Sequence, residues 1–205
     1  DPYVDVDAAE RIVGNAEFRA AGERAQARSA TVLLNRDGAA GPVLPLKPVG
    51  ALYVEGFADA DVAELGPTVA DPASADLAIV RVKAPFDARD DLFLEAWFHQ
   101  GSLDFPPGLV YRLQQIGRQC PLVLVVTIDR PAILTPLVAD AAAIVVDYGS
   151  SPRAVIDALT GRVRPEGRLP VELPRSMAAV RASREDVPSD TGDPLFPVRH
   201  GLRLA

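Results

Sequence analysis

The sequence predicts an α/β protein: a small doubly wound, flavodoxin-like three-layer α/β/α sandwich on a mostly parallel sheet. Three observations predict it. Leu77–Val82, Leu122–Ile128 and Ala143–Asp147 are short apolar runs without the polar alternation of a half-solvated strand, which suits parallel strands covered on both faces. Helical patterns separate the runs, most plainly Leu109, Leu113 and Ile116, as βαβ units require. The 205 residues fit one domain and are enough to bury a real core.

Taken in order, Asp5 to Arg28 reads as helical. Asp7 is placed to cap a first short helix, Gly14-Asn15 breaks it, and Ala16 to Arg28 is rich in good helix formers. Thr31 to Leu34 is a short β-like run closed by the turn signal Asn35-Arg36-Asp37-Gly38. Pro42, Pro45 and Pro48 keep the next stretch extended. Val49 to Glu55 is the first sheet strand, followed by Gly56 and a helix from Asp59 to Leu65.

After Leu77–Val82 comes a long loop ended by Pro106-Pro107, then a helix through Gly117, and then Leu122–Ile128, the strongest strand signal in the chain. Pro131 to Ala139 reads as a short helix opening on proline. Gly149-Ser150-Ser151-Pro152 follows the last strand and opens a helix to Leu159, with Gly161 as its stop. About four or five strands result. From Pro165 the chain turns rich in Pro, Arg, Ser and Asp, and its scattered large apolar residues predict an ordered strap over the sheet's edge.

Composition narrows the partners. A formal charge of −7 argues against nucleic acid and against an anionic membrane surface, and no apolar run is long enough to cross a bilayer. Cys120 is the one cysteine; it reads as a buried structural thiol and gives no positive sign of an oxidising compartment, which leaves a cytoplasmic location as the default. The chain starts at Asp1 with no signal-like segment, and is expected to be a processed or truncated piece.

Chemistry gathers between Arg81 and Phe105. The only tryptophan, Trp97, lies there with His99, one of two histidines, the acids Asp90, Asp91 and Glu95, and the bases Arg81, Lys83 and Arg89. In open α/β sheets ligands bind beyond the carboxyl ends of the strands, where this loop falls. The alternative is a surface helix, since Phe93, Ala96 and Trp97 fall at helical spacing and would then serve as core.

Other motifs are missing. There is no Gly-x-Gly-x-x-Gly after the first strand and no P-loop, and two distant histidines with one cysteine do not make a zinc cluster, so neither cofactor nor metal is expected. Gly149-Ser150-Ser151 lacks the Gly-x-Ser-x-Gly pattern and reads as a helix cap. Asp129 sits where a phospho-accepting aspartate would, but no second acidic cluster follows the first strand. Glycoside hydrolysis needs two carboxyl groups flanking the scissile bond. Asp90, Asp91 or Glu95 can supply one; a solvated acidic face suits Asp90 and Asp91 equally, and Glu95, flanked by apolar residues, is the better general acid.

Several segments resemble glycoside hydrolase family 3. Pro165-Glu166-Gly167-Arg168-Leu169-Pro170 with Val171-Glu172-Leu173-Pro174-Arg175-Ser176 is similar to the signature closing that family's second domain. Ser29-Ala30-Thr31-Val32-Leu33-Leu34-Asn35 with Leu44-Pro45-Leu46 resembles its entry, and Pro194 to Leu202 resembles its ending. Asp1-Pro2-Tyr3-Val4-Asp5 looks like the connector leaving the preceding barrel.

The resemblance implies residues 1–30 as a helical connector from an N-terminal barrel and 31–205 as the α/β sandwich with its strap. It implies hydrolysis of terminal β-D-glycosidic, most simply β-glucosidic, bonds. The barrel would bear the nucleophilic aspartate and a loop of this domain would reach the active site. Where plant members carry the acid/base glutamate, in Gly-Glu-His-Pro-Tyr, this chain reads Val82-Lys83-Ala84-Pro85-Phe86, with Lys83 in the glutamate's place, and Phe98 to Phe105 looks like a subfamily insertion.

Glu95 and then Asp91 are therefore the expected catalytic residues, and Trp97, His99 and Arg89 the expected sugar contacts. The partners implied are the barrel of the same enzyme and a carbohydrate, with a homo-oligomer left open. Trp97, Phe98 and Phe105 are expected to form an apolar patch for the barrel. A non-enzymatic scaffold or carbohydrate-binding module is the competing reading.

Overall fold

The alternation of apolar residues along each strand sorts them onto two faces of one sheet. In the computed structural model, which describes residues 3–38, 41–91 and 93–204, Leu122, Leu124 and Val126 pack into one core cluster and Val123 and Val125 into the other. Ala78 and Val80 divide from Leu77 and Ile79 in the same way. Both faces are apolar because both are covered.

The elements, in chain order, are α1 (Val6–Ile12), α2 (Ala16–Ser29), β1 (Thr31–Asn35), a small hairpin of β2 (Asp37–Gly38) and β3 (Gly41–Pro42), β4 (Leu52–Glu55), α3 (Asp59–Val62), β5 (Thr68–Val69), β6 (Leu77–Lys83), α4 (Pro107–Gln119), β7 (Leu122–Thr127), β8 (Ala143–Asp147), α5 (Pro152–Leu159) and α6 (Met177–Ala182). The main sheet has six strands in the order β1-β8-β7-β6-β4-β5. Strands β4 to β8 are parallel, and β1 lies antiparallel on β8. The parallel strands alone run second, first, third, fourth, fifth across the sheet, which is the flavodoxin-like order. The two strongest apolar runs, β6 and β7, hold its centre.

Residues of α2, α3 and α5 cover one face, through Ala27, Val62, Val155, Ile156 and Leu159. The other is covered by Leu113 and Ile116 of α4, by the segment around Leu134 and Leu137, and by Leu169, Leu173 and Phe196 of the tail. The tail is the expected strap. Leu202 N donates to Val32 O at 2.7 Å and His200 Nε2 meets Leu33 O at 2.9 Å, closing the free edge of β1.

Several expectations need correction. Pro131 to Ala139 forms turns, not a helix. Pro136 lacks a donor and disfavours α backbone at Thr135, whose hydroxyl instead donates to Arg175 O at 2.8 Å. The first helix is capped by Asp5, whose Oδ1 accepts from Ala8 N at 3.0 Å, and Asp7 lies in its first turn. β4 starts at Leu52, later than the expected Val49, and α3 stops at Val62 instead of Leu65. The two-residue strand β5 is too short to leave a periodic signal.

Candidate functional site at the carboxyl edge of the sheet

Three neighbouring parallel strands end in a buried polar lattice. Asp147, the last residue of β8, is fully buried and accepts from Arg81 Nη2 of β6 at 2.8 Å, Thr127 Oγ1 of β7 at 2.8 Å, and the backbone N–H groups of Gly149 and Ser150 at 3.0 Å each. Arg81 is shared further: Nε donates to Thr127 Oγ1 at 3.1 Å, Nη2 to Ser150 O at 2.7 Å, and the guanidinium lies over the Phe57 ring at 5.6 Å. A buried carboxylate beside a half-buried guanidinium is tolerable because each finds partners. Gly56, at φ +79°, makes room beside this lattice, since a Cβ there would lie 2.6 Å from Arg81 O. A cleft of about 370 Å³ opens here, lined by Gly56, Arg81, Val82, Lys83, Thr127 and Gly149. It lies by the β4–β6 step, where the strand order reverses and doubly wound sheets bind ligands.

The loop from Lys83 to Phe105 rises from the same edge. Its root is closed by a neck. Asp87 N donates to Gln100 O at 2.8 Å, Ser102 N to Asp87 Oδ2 at 3.0 Å, and Arg130 Nη2 to Gly101 O at 2.8 Å. Gly101 has φ +80°, and a Cβ on it would fall 1.9 Å from Asp87 Oδ2, so only glycine fits. At the root His99 stacks on Phe86, with ring centroids 3.8 Å apart and planes 11° from parallel, while its Nδ1 meets Oδ2 of Asp129 just beyond β7. Leu103 and Phe105 then return to the interior.

Beyond the neck the tip is apolar and uncovered. Phe93 is 82% exposed, Trp97 76% and Phe98 65%, against 5% for Phe105. The expected patch of Trp97, Phe98 and Phe105 therefore divides: the first two are on the surface and the third is core. A surface helix with Phe93, Ala96 and Trp97 as core is also ruled out, because among the described residues of the tip the only helical turn is the 3₁₀ turn Glu95–Trp97 and these residues are exposed.

The expected site residues all lie on this tip or at its root, in different settings. Asp91 pairs with Arg89 at 2.5 Å, and that hydrogen bond holds the Asp91 carboxyl below its ordinary pKa and the guanidinium above its own. A carboxyl so held is charged and poorly suited to donate a proton. Glu95 is half-buried, and no described residue hydrogen-bonds its carboxylate. Its neighbours Leu94, Ala96 and Trp97 face outward, so the apolar surroundings expected for it do not come from this chain. Lys83 is exposed at the end of β6.

Sequence reasoning missed Phe86 and the Arg81–Thr127–Asp147 lattice, and weighed Asp129 only as a phosphate acceptor. Their common signal is position, since each lies at or just past a strand's carboxyl end. Cys120 is buried and burial pushes its thiol pKa up, in keeping with a structural role.

Residues 17–204 match the family model of the glycosyl hydrolase family 3 C-terminal domain. Beta-glucosidase C of Emericella nidulans is 40% identical over 98% of the chain, which covers 32% of that protein. The periplasmic beta-glucosidase/beta-xylosidase of Dickeya chrysanthemi is 33% identical, with 98% of the chain and 31% of the relative covered. Among solved structures, a β-glucosidase from Erythrobacter marinus superposes with a TM-score of 0.73 at 19% identity, covering 99% of this chain and 37% of the other. The β-glucosidase of Listeria innocua in complex with isofagomine gives 0.70 at 14% identity, covering 93% and 34%. The chain spans about a third of the length of the curated relatives it matches. On the family match and the shared fold, the chain belongs to glycosyl hydrolase family 3, whose C-terminal domain it forms.

Proposed function

We propose that this domain works within an enzyme that hydrolyses terminal β-D-glycosidic bonds, most simply β-glucosidic ones, and that the loop from Lys83 to Phe105 forms part of its active site. The observation that carries this reading is the tip itself: Phe93, Leu94, Trp97 and Phe98 are held out from a closed neck at the carboxyl edge of the sheet. An isolated apolar projection of this kind marks an interaction surface. The occupant that suits it is a barrel preceding this domain, which would bear a carboxylate nucleophile and leave a sugar site between the two. Within residues 1–30, α1 then serves as the connector, while α2 packs on the sheet through Ala27. Helix α1 buries none of its residues in this domain, and Val4, Val6, Ile12 and Val13 face outward.

In this reading Trp97, His99 and Arg89 border the sugar. Aromatic faces suit the apolar side of a pyranose, and a guanidinium suits its hydroxyls. Glu95 and Asp91 are the expected carboxylates for proton transfer, but Asp91 is held charged by Arg89 and Glu95 has no hydrogen-bonding partner among the described residues to orient it.

The test is to assay aryl β-glucosides with the 205-residue chain and with the full-length protein containing the preceding domain. The full-length protein should turn over and the isolated chain should not, because cleavage needs a nucleophile across the sugar from the proton donor. Sugar binding without turnover by the full-length protein would instead support a binding module. Turnover by the isolated chain would overturn the two-domain account.

A further inference from the structure

We propose that the proton-transfer group this domain contributes is His99, positioned by Asp129, with neither tip carboxylate in that role. The inference rests on the glycosidase reading above and assigns the chemistry within it.

His99 is held from two sides. Phe86 lies flat against the ring and Oδ2 of Asp129 meets Nδ1. A carboxylate only accepts hydrogen bonds, so Nδ1 carries the proton and Nε2 is the atom left to exchange one. No described residue hydrogen-bonds Nε2. The backbone beneath is fixed too, because Gln100, the next residue, is in the neck that pairs with Asp87. Glu95 has none of this: it rides on a short 3₁₀ turn at the far side of the neck, without a hydrogen-bonding partner among the described residues. Proton transfer rewards geometry first, and Phe86, His99 and Asp129 together link the segments that leave the two central strands, β6 and β7.

The His99 imidazolium gives its Nε2 proton to the glycosidic oxygen as the bond from that oxygen to C1 breaks, and a carboxylate of the preceding domain bonds to C1. An alcohol leaves, with neutral imidazole and a glycosyl ester remaining. Nε2 then takes a proton from water as the water oxygen bonds to C1 and the ester bond breaks, restoring the imidazolium and the carboxylate.

The experiment uses the full-length enzyme and four variants: His99→Ala, His99→Gln, Asp129→Asn and Glu95→Gln. Each is assayed on a 2,4-dinitrophenyl β-glucoside and on an alkyl β-glucoside, with and without azide. His99→Gln keeps a donor for Asp129 but cannot exchange a proton, so it stands in if the alanine variant fails to fold. Both His99 variants should lose about 10²- to 10⁴-fold on the alkyl glucoside, far less on the dinitrophenyl glucoside, and form β-glucosyl azide when azide is added. As a positioning residue, Asp129 should show the same gradation at smaller amplitude when changed to Asn. Equal losses on both substrates with no azide product in the His99 variants, or the graded pattern in Glu95→Gln instead, would overturn the assignment while leaving the glycosidase reading intact. A wild-type enzyme inactive on every aryl β-glycoside would overturn both.

Discussion

Two regions at the same edge of the sheet solve opposite problems. The lattice of Arg81, Thr127 and Asp147 is polar, buried and satisfied by this chain's own groups. The loop tip around Trp97 is apolar, exposed and covered by none of the described residues. One belongs to the stability of the domain, the other to something outside it. The neck at Asp87, Gln100 and Gly101 is where the two meet, and it lets an unstable-looking projection stand on a stable base. Substitutions on the two sides should therefore separate stability from activity.

The largest effect belongs to the lattice. Asp147→Ala leaves the Arg81 guanidinium without its buried counter-charge and two backbone N–H groups without their acceptor. Urea unfolding of the 205-residue chain should show a loss of about 3–5 kcal/mol. A loss under 1 kcal/mol would mean water replaces the carboxylate, and that the lattice is less closed than it looks. The neck comes next. Gly101→Ala forces a side chain into left-handed backbone and against Asp87, at a cost of about 1–3 kcal/mol. In the full-length enzyme it should also lower kcat/KM, because the root that carries His99 shifts with it.

How much of this the sequence disclosed follows the same division. The apolar runs Leu77–Val82 and Leu122–Ile128 announced the sheet, since strands buried on both faces leave an unbroken signature. Pro131–Ala139 misled because prolines open helices as readily as they prevent them, and Pro136 in mid-segment decides for turns. At the site, the loop was legible as a concentration of unusual residues, but the pairing within it was not. His99 reaches Asp129 across 30 residues, and Arg81 reaches Asp147 across 66; neither spacing has a local pattern. The fate of Phe105 was equally hidden, because it shares composition with Trp97 and Phe98 and differs only in lying beyond the neck.

Trp97→Ser together with Phe98→Ser reverses the lattice's behaviour. Exposed side chains removed from the isolated chain should move its stability by no more than about 0.5 kcal/mol, while the full-length enzyme loses activity. Unchanged activity would remove the tip from the active site.

The smallest effect is at Arg89. Its hydrogen bond holds the Asp91 carboxyl below the ordinary aspartate range. An acid with a depressed folded pKa contributes stability that is present above its unfolded pKa of about 4 and lost as pH falls through the lower folded value. The pair is open to solvent, so water and salt screen it and little stability is at stake. Arg89→Ala should thus raise the Asp91 pKa toward the ordinary value in a carbon-detected NMR titration, while the urea midpoint at neutral pH stays where it was. If the midpoint falls as it does for Gly101→Ala, the tip is coupled to the base more tightly than the closed neck implies, and the contrast between the two regions fails.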